Sequence, residues 1–109
     1  MTRPTLQVNF YLSGAGVEPV RDWLKSLPSP ERKIIGEDIK TVQYGWPLGM
    51  PLVRKMGTGL WEVRIGLPGR IARVLFTVED GTMVLLHGFI KKSQRTPAAD
   101  LRTALDRMK

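Results

Sequence analysis

Along Leu6–Tyr11 (LQVNFY) apolar and polar residues alternate weakly, the period of a strand with one buried side. Downstream the period changes. Val17, Val20, Leu24 and Leu27 recur at helical spacing, with Pro19 tolerated in a first turn and Pro28 ending the segment. Ser29-Pro30-Glu31 then reads as an N-cap, a first-turn proline and an acid at the positive end of a second helix. Its apolar stripe is Ile35, Ile39 and Val42, and Gly45 closes it. Two short helices in succession predict a helical hairpin with one face to bury. Glycine and proline punctuate Tyr44–Gly59 (YGWPLGMPLVRKMGTG), which predicts a long, partly ordered loop.

Three strands are predicted next: Leu60–Ile65, Ile71–Val78 and Thr82–Ile90. Asp80-Gly81 between the last two is a strong hairpin signal. Thr96-Pro97 predicts the cap of a final helix carrying Leu101, Leu105 and Met108 on one side. The order β-α-α-β-β-β-α implies an α+β domain, an antiparallel sheet covered by helices.

Register decides which side chains share a face. A four-residue loop, Leu67-Pro68-Gly69-Arg70, sets Trp61 opposite Phe76, Val63 opposite Val74 and Ile65 opposite Ala72 on an apolar side. Arg64 then lies opposite Arg73 on the other side. A two-residue Asp80-Gly81 turn sets Ala72 opposite Phe89, Val74 opposite His87, Phe76 opposite Leu85 and Arg73 opposite Gly88. Lys92 then points the same way as Arg64 and Arg73. Two facing arginines repel unless something separates or neutralises them. Glu62, on the same face as Arg64, is the internal candidate; a bound phosphate is the external one.

Charge sharpens this picture. The formal net charge is +7. Residues 1–53 carry six Lys/Arg against five acids, whereas residues 54–109 carry eleven against five. The positive field therefore belongs to the second half, which points to a polyanion, nucleic acid first and an acidic protein second, or to a solvated basic surface. The 109 residues suit one domain, 1–109, with a single core. There is no cysteine, which excludes disulfides, thiol chemistry and Cys-based zinc sites and suits a reducing cytoplasm. No apolar run approaches the ~18 residues of a membrane span, and the N-terminus lacks the apolar stretch of a signal peptide. A cytoplasmic protein is the expectation.

LWEVRIG, RVLFTVEDG and above all LLHGFIKKSQRTP, followed by a short terminal helix, resemble the HigB-like, phage-derived branch of the RelE/ParE toxin superfamily. The similarity runs from RKMGTGLWEVR to the last helix, and the helical hairpin agrees in order. The resemblance implies a small RelE-like fold, a twisted antiparallel sheet with an N-terminal helical hairpin. It implies the toxin of a type II toxin–antitoxin system, a metal-independent, ribosome-dependent mRNA endonuclease (mRNA interferase) that inhibits translation. The implied partners are the ribosome, mRNA and a cognate antitoxin with a helix-turn-helix domain, HigA-like; no cofactor is implied. Two other readings stay open: a ParE-like, non-catalytic toxin that binds DNA gyrase, and a non-toxic nucleic-acid-binding phage relic.

By the same resemblance, Arg64 lies on the strand where RelE-type toxins hold a functional lysine, and Arg73 matches an active-site arginine of the next strand. Lys91 and Lys92 match a basic pair, with Lys92 in the place of a functional arginine. Lys55 corresponds more loosely to a basic position; Arg54 and Arg95 join it as RNA-binding candidates. Glu62 stands where some members carry a lysine proposed as general base, and no tyrosine follows the basic pair. Metal-free cleavage requires deprotonation of the 2′-hydroxyl, charge stabilisation on the phosphorane and protonation of the leaving 5′-oxygen. Arg64 and Arg73 suit the phosphorane because guanidinium pairs bidentately with phosphate oxygens. Lys91 or Lys92, its pKa depressed by neighbouring cations, suits proton transfer.

Three residues have two readings each. Glu62 is a general base or a salt-bridge partner of Arg64. His87, the lone histidine, is a general acid or a hydrogen-bonded residue of the core face. Trp46 stacks on a base or anchors its loop against the sheet. No ligand spacing for a metal and no Gly-rich phosphate loop is present.

Overall fold

The computed structural model describes residues 3–91 and 96–109. In chain order the elements are β1 (Gln7–Phe10), α1 (Pro19–Lys25), α2 (Ser29–Gly45), β2 (Val53–Gly57), β3 (Leu60–Leu67), β4 (Arg70–Glu79), β5 (Thr82–Lys91) and α3 (Ala98–Met108). They make a small α+β domain, a five-stranded sheet in the order β1-β5-β4-β3-β2 with three helices. None of the described helices is long and apolar enough to cross a membrane.

Two expectations about the sheet are corrected. Tyr44–Gly59 is not all loop: Val53–Gly57 pairs antiparallel with β3. VRKMG shows little alternation because β2 is an edge strand, where charged side chains are normal and protect the open edge. Nor is the sheet wholly antiparallel, since β1 runs parallel to β5. The two helices between β1 and the rest of the sheet provide the long connection that a parallel neighbour needs.

The helix caps also differ. Pro28 and Pro97 occupy the cap positions of α2 and α3 with extended backbone, and neither helix has a side-chain cap. Ser29 is already inside the first turn. Thr96 turns its hydroxyl elsewhere.

One face of the sheet packs on α1 and α2. Its core joins Val20, Ile35, Ile39 and Val42 to Val63, Ile65, Val74, Phe76 and Leu85. The other face is partly covered by α3, where Leu60, Leu75, Leu86, Phe89 and Ala104 form a second apolar cluster. The uncovered remainder of that second face carries the charges.

The β3–β4 register matches the expectation, with Trp61 opposite Phe76, Val63 opposite Val74 and Arg64 opposite Arg73. The strands run on to Leu67 and Arg70, so the loop shortens to Pro68-Gly69 without altering the register. Asp80 and Gly81 both have positive φ, 48° and 73°, the type I′ pattern that Asp-Gly hairpins adopt. From this turn β4 and β5 pair as expected as far as Phe76 opposite Leu85.

Beyond that point the expected pairing fails. The next partners are Leu75 and His87, which leaves Leu86 as an extra residue. This β-bulge moves every later pair by one: Val74 faces Gly88, Arg73 faces Phe89 and Ile71 faces Lys91. Two contacts support the bulge. Arg107 Nη1 donates to the Leu86 carbonyl at 2.8 Å, and Gly88 lies under Trp23, where any Cβ would overlap the indole. Gly88 therefore makes room for α1, not for a ligand above Arg73.

Candidate functional site

The charged part of the second face is built around one carboxylate. Glu62 on β3 is fully buried, and Arg73 on β4 is 1% exposed. Arg73 Nη1 donates to Glu62 Oε1, and the Thr96 hydroxyl donates to Glu62 Oε2 at 2.6 Å. Both oxygens are therefore engaged. The expected salt bridge of Glu62 does form, but its partner is Arg73 rather than Arg64. Arg73, directly opposite Arg64, reaches Glu62 diagonally across the β3–β4 pair, whereas Arg64 is two residues from Glu62 along the same strand.

Arg64 is half-buried and forms no ion pair among the described residues. Its Nε and that of Arg73 are buried without a hydrogen-bond acceptor. Two guanidinium N–H groups withdrawn from water without partners cost free energy, a cost that an anion would relieve. Arg54 lies opposite Glu62 from the β2 side and is exposed.

The bulge brings the fourth cation. Lys91 shares the face of Arg73, and its residue is only 7% exposed. Burial pushes its pKa below the ordinary lysine range, and the Arg73, Arg64 and Arg54 charges push the same way, with Glu62 opposing. Arg54, Arg64, Arg73 and Lys91 thus form one electrostatic group around a single acid.

The remaining candidates are distributed differently. Lys92 and Arg95 lie outside the described residues. Lys55 is opposite Trp61, on the helix side of the sheet, and is exposed. Trp46 is also on that side, edge-on to Trp61 at 5.0 Å and to Phe76 at 5.7 Å, packed against the core. It is not joined to the cations.

His87 is not on the helix-covered core face beside Val74. The bulge turns it to the α3 side, where Nε2 lies 2.6 Å from Asp100 Oδ1 and the ring stacks on Phe89. Arg107 Nη1 stands 3.4 Å from Nδ1, a geometry that suits the tautomer with its proton on Nε2. His87 thereby ties α3 to β5, on the same cross-strand row as Glu62 but with Leu75 between them. Among the described residues, no three His, Asp or Glu side chains gather as a metal site requires.

The role of Thr96 was missed from sequence because Thr-Pro before a helix has the form of a cap. Lys91's place was missed because nothing in the run from Leu85 to Phe89 marks a bulge.

The model of a family described as phage-derived protein Gp49-like matches residues 22–109, from α1 through α3. No curated protein matches the chain.

Proposed function

Because the chain belongs to the phage-derived Gp49-like family, a RelE/toxin-like family, we propose that it is the toxin of a type II toxin–antitoxin pair and acts as a ribosome-dependent mRNA endonuclease. The toxin assignment follows the family; the chemistry is read from the cations. The observation that carries it is the convergence of Arg54, Arg64, Arg73 and Lys91 on one sheet face around Glu62. A basic surface kept for solubility would place its charges in water, not bury an arginine and a lysine together.

In this reading the RNA's own 2′-hydroxyl gives its proton to water and attacks the adjacent phosphorus. The bond to the 5′-oxygen breaks, leaving a 2′,3′-cyclic phosphate and a 5′-hydroxyl. Arg64 binds the phosphorane oxygens, since it is only half-buried and its Nε has no acceptor. Arg73 sits behind it, held by Glu62, and adds positive potential from a position closed to solvent. Lys91 releases a proton more readily than an ordinary lysine and supplies one to the leaving oxygen. Glu62 serves as the holder of Arg73 rather than as the base. The partner that neutralises the toxin is an antitoxin of the helix-turn-helix, HigA-like kind, with acidic groups for this face.

The burial of Arg73 favours the second reading, a gyrase-directed toxin without chemistry, because that arginine cannot reach a substrate as the site stands. One experiment separates the two. On induction in cells, primer extension shows cuts in translated messages that vanish when translation is blocked. Intact messages together with gyrase-linked DNA breaks would reverse the conclusion.

A further inference from the structure

Thr96 stands one residue before the Pro97 cap of α3, where a hydroxyl ordinarily serves the helix N-terminus. Here it does not, since α3 has no side-chain cap and the hydroxyl donates to Glu62 Oε2 at 2.6 Å. The bond spans the sheet-to-helix junction and ends on a carboxylate with no solvent access.

What this bond prevents is as informative as what it makes. A buried carboxylate seeks donors for both oxygens. Arg73 holds Oε1, and Arg64 lies two residues from Glu62 along the same strand face, with a buried Nε lacking an acceptor. Were Oε2 free, rotation of the carboxylate toward Arg64 would satisfy both groups at once. The acid would then neutralise two arginines instead of one.

We infer that Thr96 is a positioning residue: its hydroxyl occupies the second oxygen of Glu62, confines the neutralising charge to Arg73 and leaves Arg64 available for a substrate phosphate. This rests on the reading of the face as a nucleic-acid site. It extends that reading to a residue that touches no substrate and acts through Glu62. The ligand class is a single-stranded polyribonucleotide, bound through its phosphates.

The test compares T96V, which keeps the shape and removes the hydroxyl, with T96S, which restores it. Binding of a short single-stranded oligoribonucleotide to the purified full-length chain is measured over a salt series, beside thermal unfolding of each variant. T96V is expected to bind roughly ten-fold more weakly, as for one lost charge-assisted contact. Its slope of log affinity against log salt should be shallower by about 0.7, the counterion release of one phosphate contact on a single strand. T96S should recover both values. A purely structural role would lower the unfolding temperature of T96V and leave the salt slope unchanged, which overturns the inference; so does a T96S variant that fails to recover, or a wild-type chain that binds no RNA. Because the readout is binding, a wild-type chain that binds RNA but cuts none would refute the endonuclease assignment while this inference stands.

Discussion

Glu62 and Arg73, on adjacent strands, form an ion pair almost entirely closed to water. Removing water from two charges costs several kcal/mol each, and the pair is tolerated only because each group is held in place by the other and by further donors such as Thr96. The pair sets Arg73, which has an acid partner and is closed to water, apart from Arg64, which is half-buried and has no ion pair among the described residues.

Arg73→Ala leaves a buried carboxylate without its counter-charge. The expected loss of stability is about 3–5 kcal/mol, enough to unfold a marginal domain. Arg64→Ala removes a half-buried group with no ion pair among the described residues, so its effect on stability should stay within about 1 kcal/mol while cleavage falls roughly 100-fold. Urea unfolding alongside a translation-coupled cleavage assay checks both. Equal losses of stability in the two variants would contradict the division.

Lys91 loses its proton below the ordinary lysine range because burial and three arginines disfavour its charge. If it is the acid for the leaving oxygen, cleavage should decline on the alkaline side as that proton is lost. Lys91→Arg stays charged throughout and should abolish the decline, even at a lower plateau rate. The pH–rate profile of the two proteins is the measurement. The sign for stability is separate: a lysine whose folded pKa lies below its unfolded value binds fewer protons when folded, so its penalty is present at neutral pH and is relieved as pH rises through the folded pKa.

Gly88→Ala places a methyl group inside the Trp23 ring, and α1 must move away from β5. The expected destabilisation is about 1–3 kcal/mol, typical of overpacking. Trp23 fluorescence followed through denaturation reports both the stability and the shifted indole.

Arg70 grips Glu31 through two hydrogen bonds, joining the β3–β4 turn to the first turn of α2. The Arg70 hydrogen bonds hold the Glu31 carboxyl below its usual range. A depressed folded pKa means stabilisation that is complete above the unfolded carboxylate pKa and lost as pH falls through the folded value. Wild type and Glu31→Gln should therefore unfold at different temperatures near neutral pH and converge in acid. Calorimetry across that range checks it.

Much of the fold was legible because its signals are local. The prolines at 19 and 30, the stripe of Ile35, Ile39 and Val42, and the Asp80-Gly81 turn act over a few residues and mark their elements directly. Arg64 opposite Arg73 followed from counting across a short turn. The counting failed after Leu85, where the bulge is decided by partners distant in sequence: Trp23 above Gly88 and Arg107 on the Leu86 carbonyl. His87 and Lys91 were misplaced for the same reason. The edge strand β2 was hidden because half of its definition lies in β3, not in VRKMG itself. Thr96 shows the converse failure, a strong local motif overridden by a buried acid more than thirty residues earlier.

The surplus residue in β5 has an evolutionary corollary. Excising Leu86 would join Leu85 directly to His87 and let the strand resume plain alternation, while every later pair, Lys91 opposite Ile71 included, stays as it is. With the bulge in place, a one-residue deletion between Gly88 and Ile90 would instead turn Lys91 to the opposite side, so the length of that short stretch, more than its composition, decides where the ammonium sits.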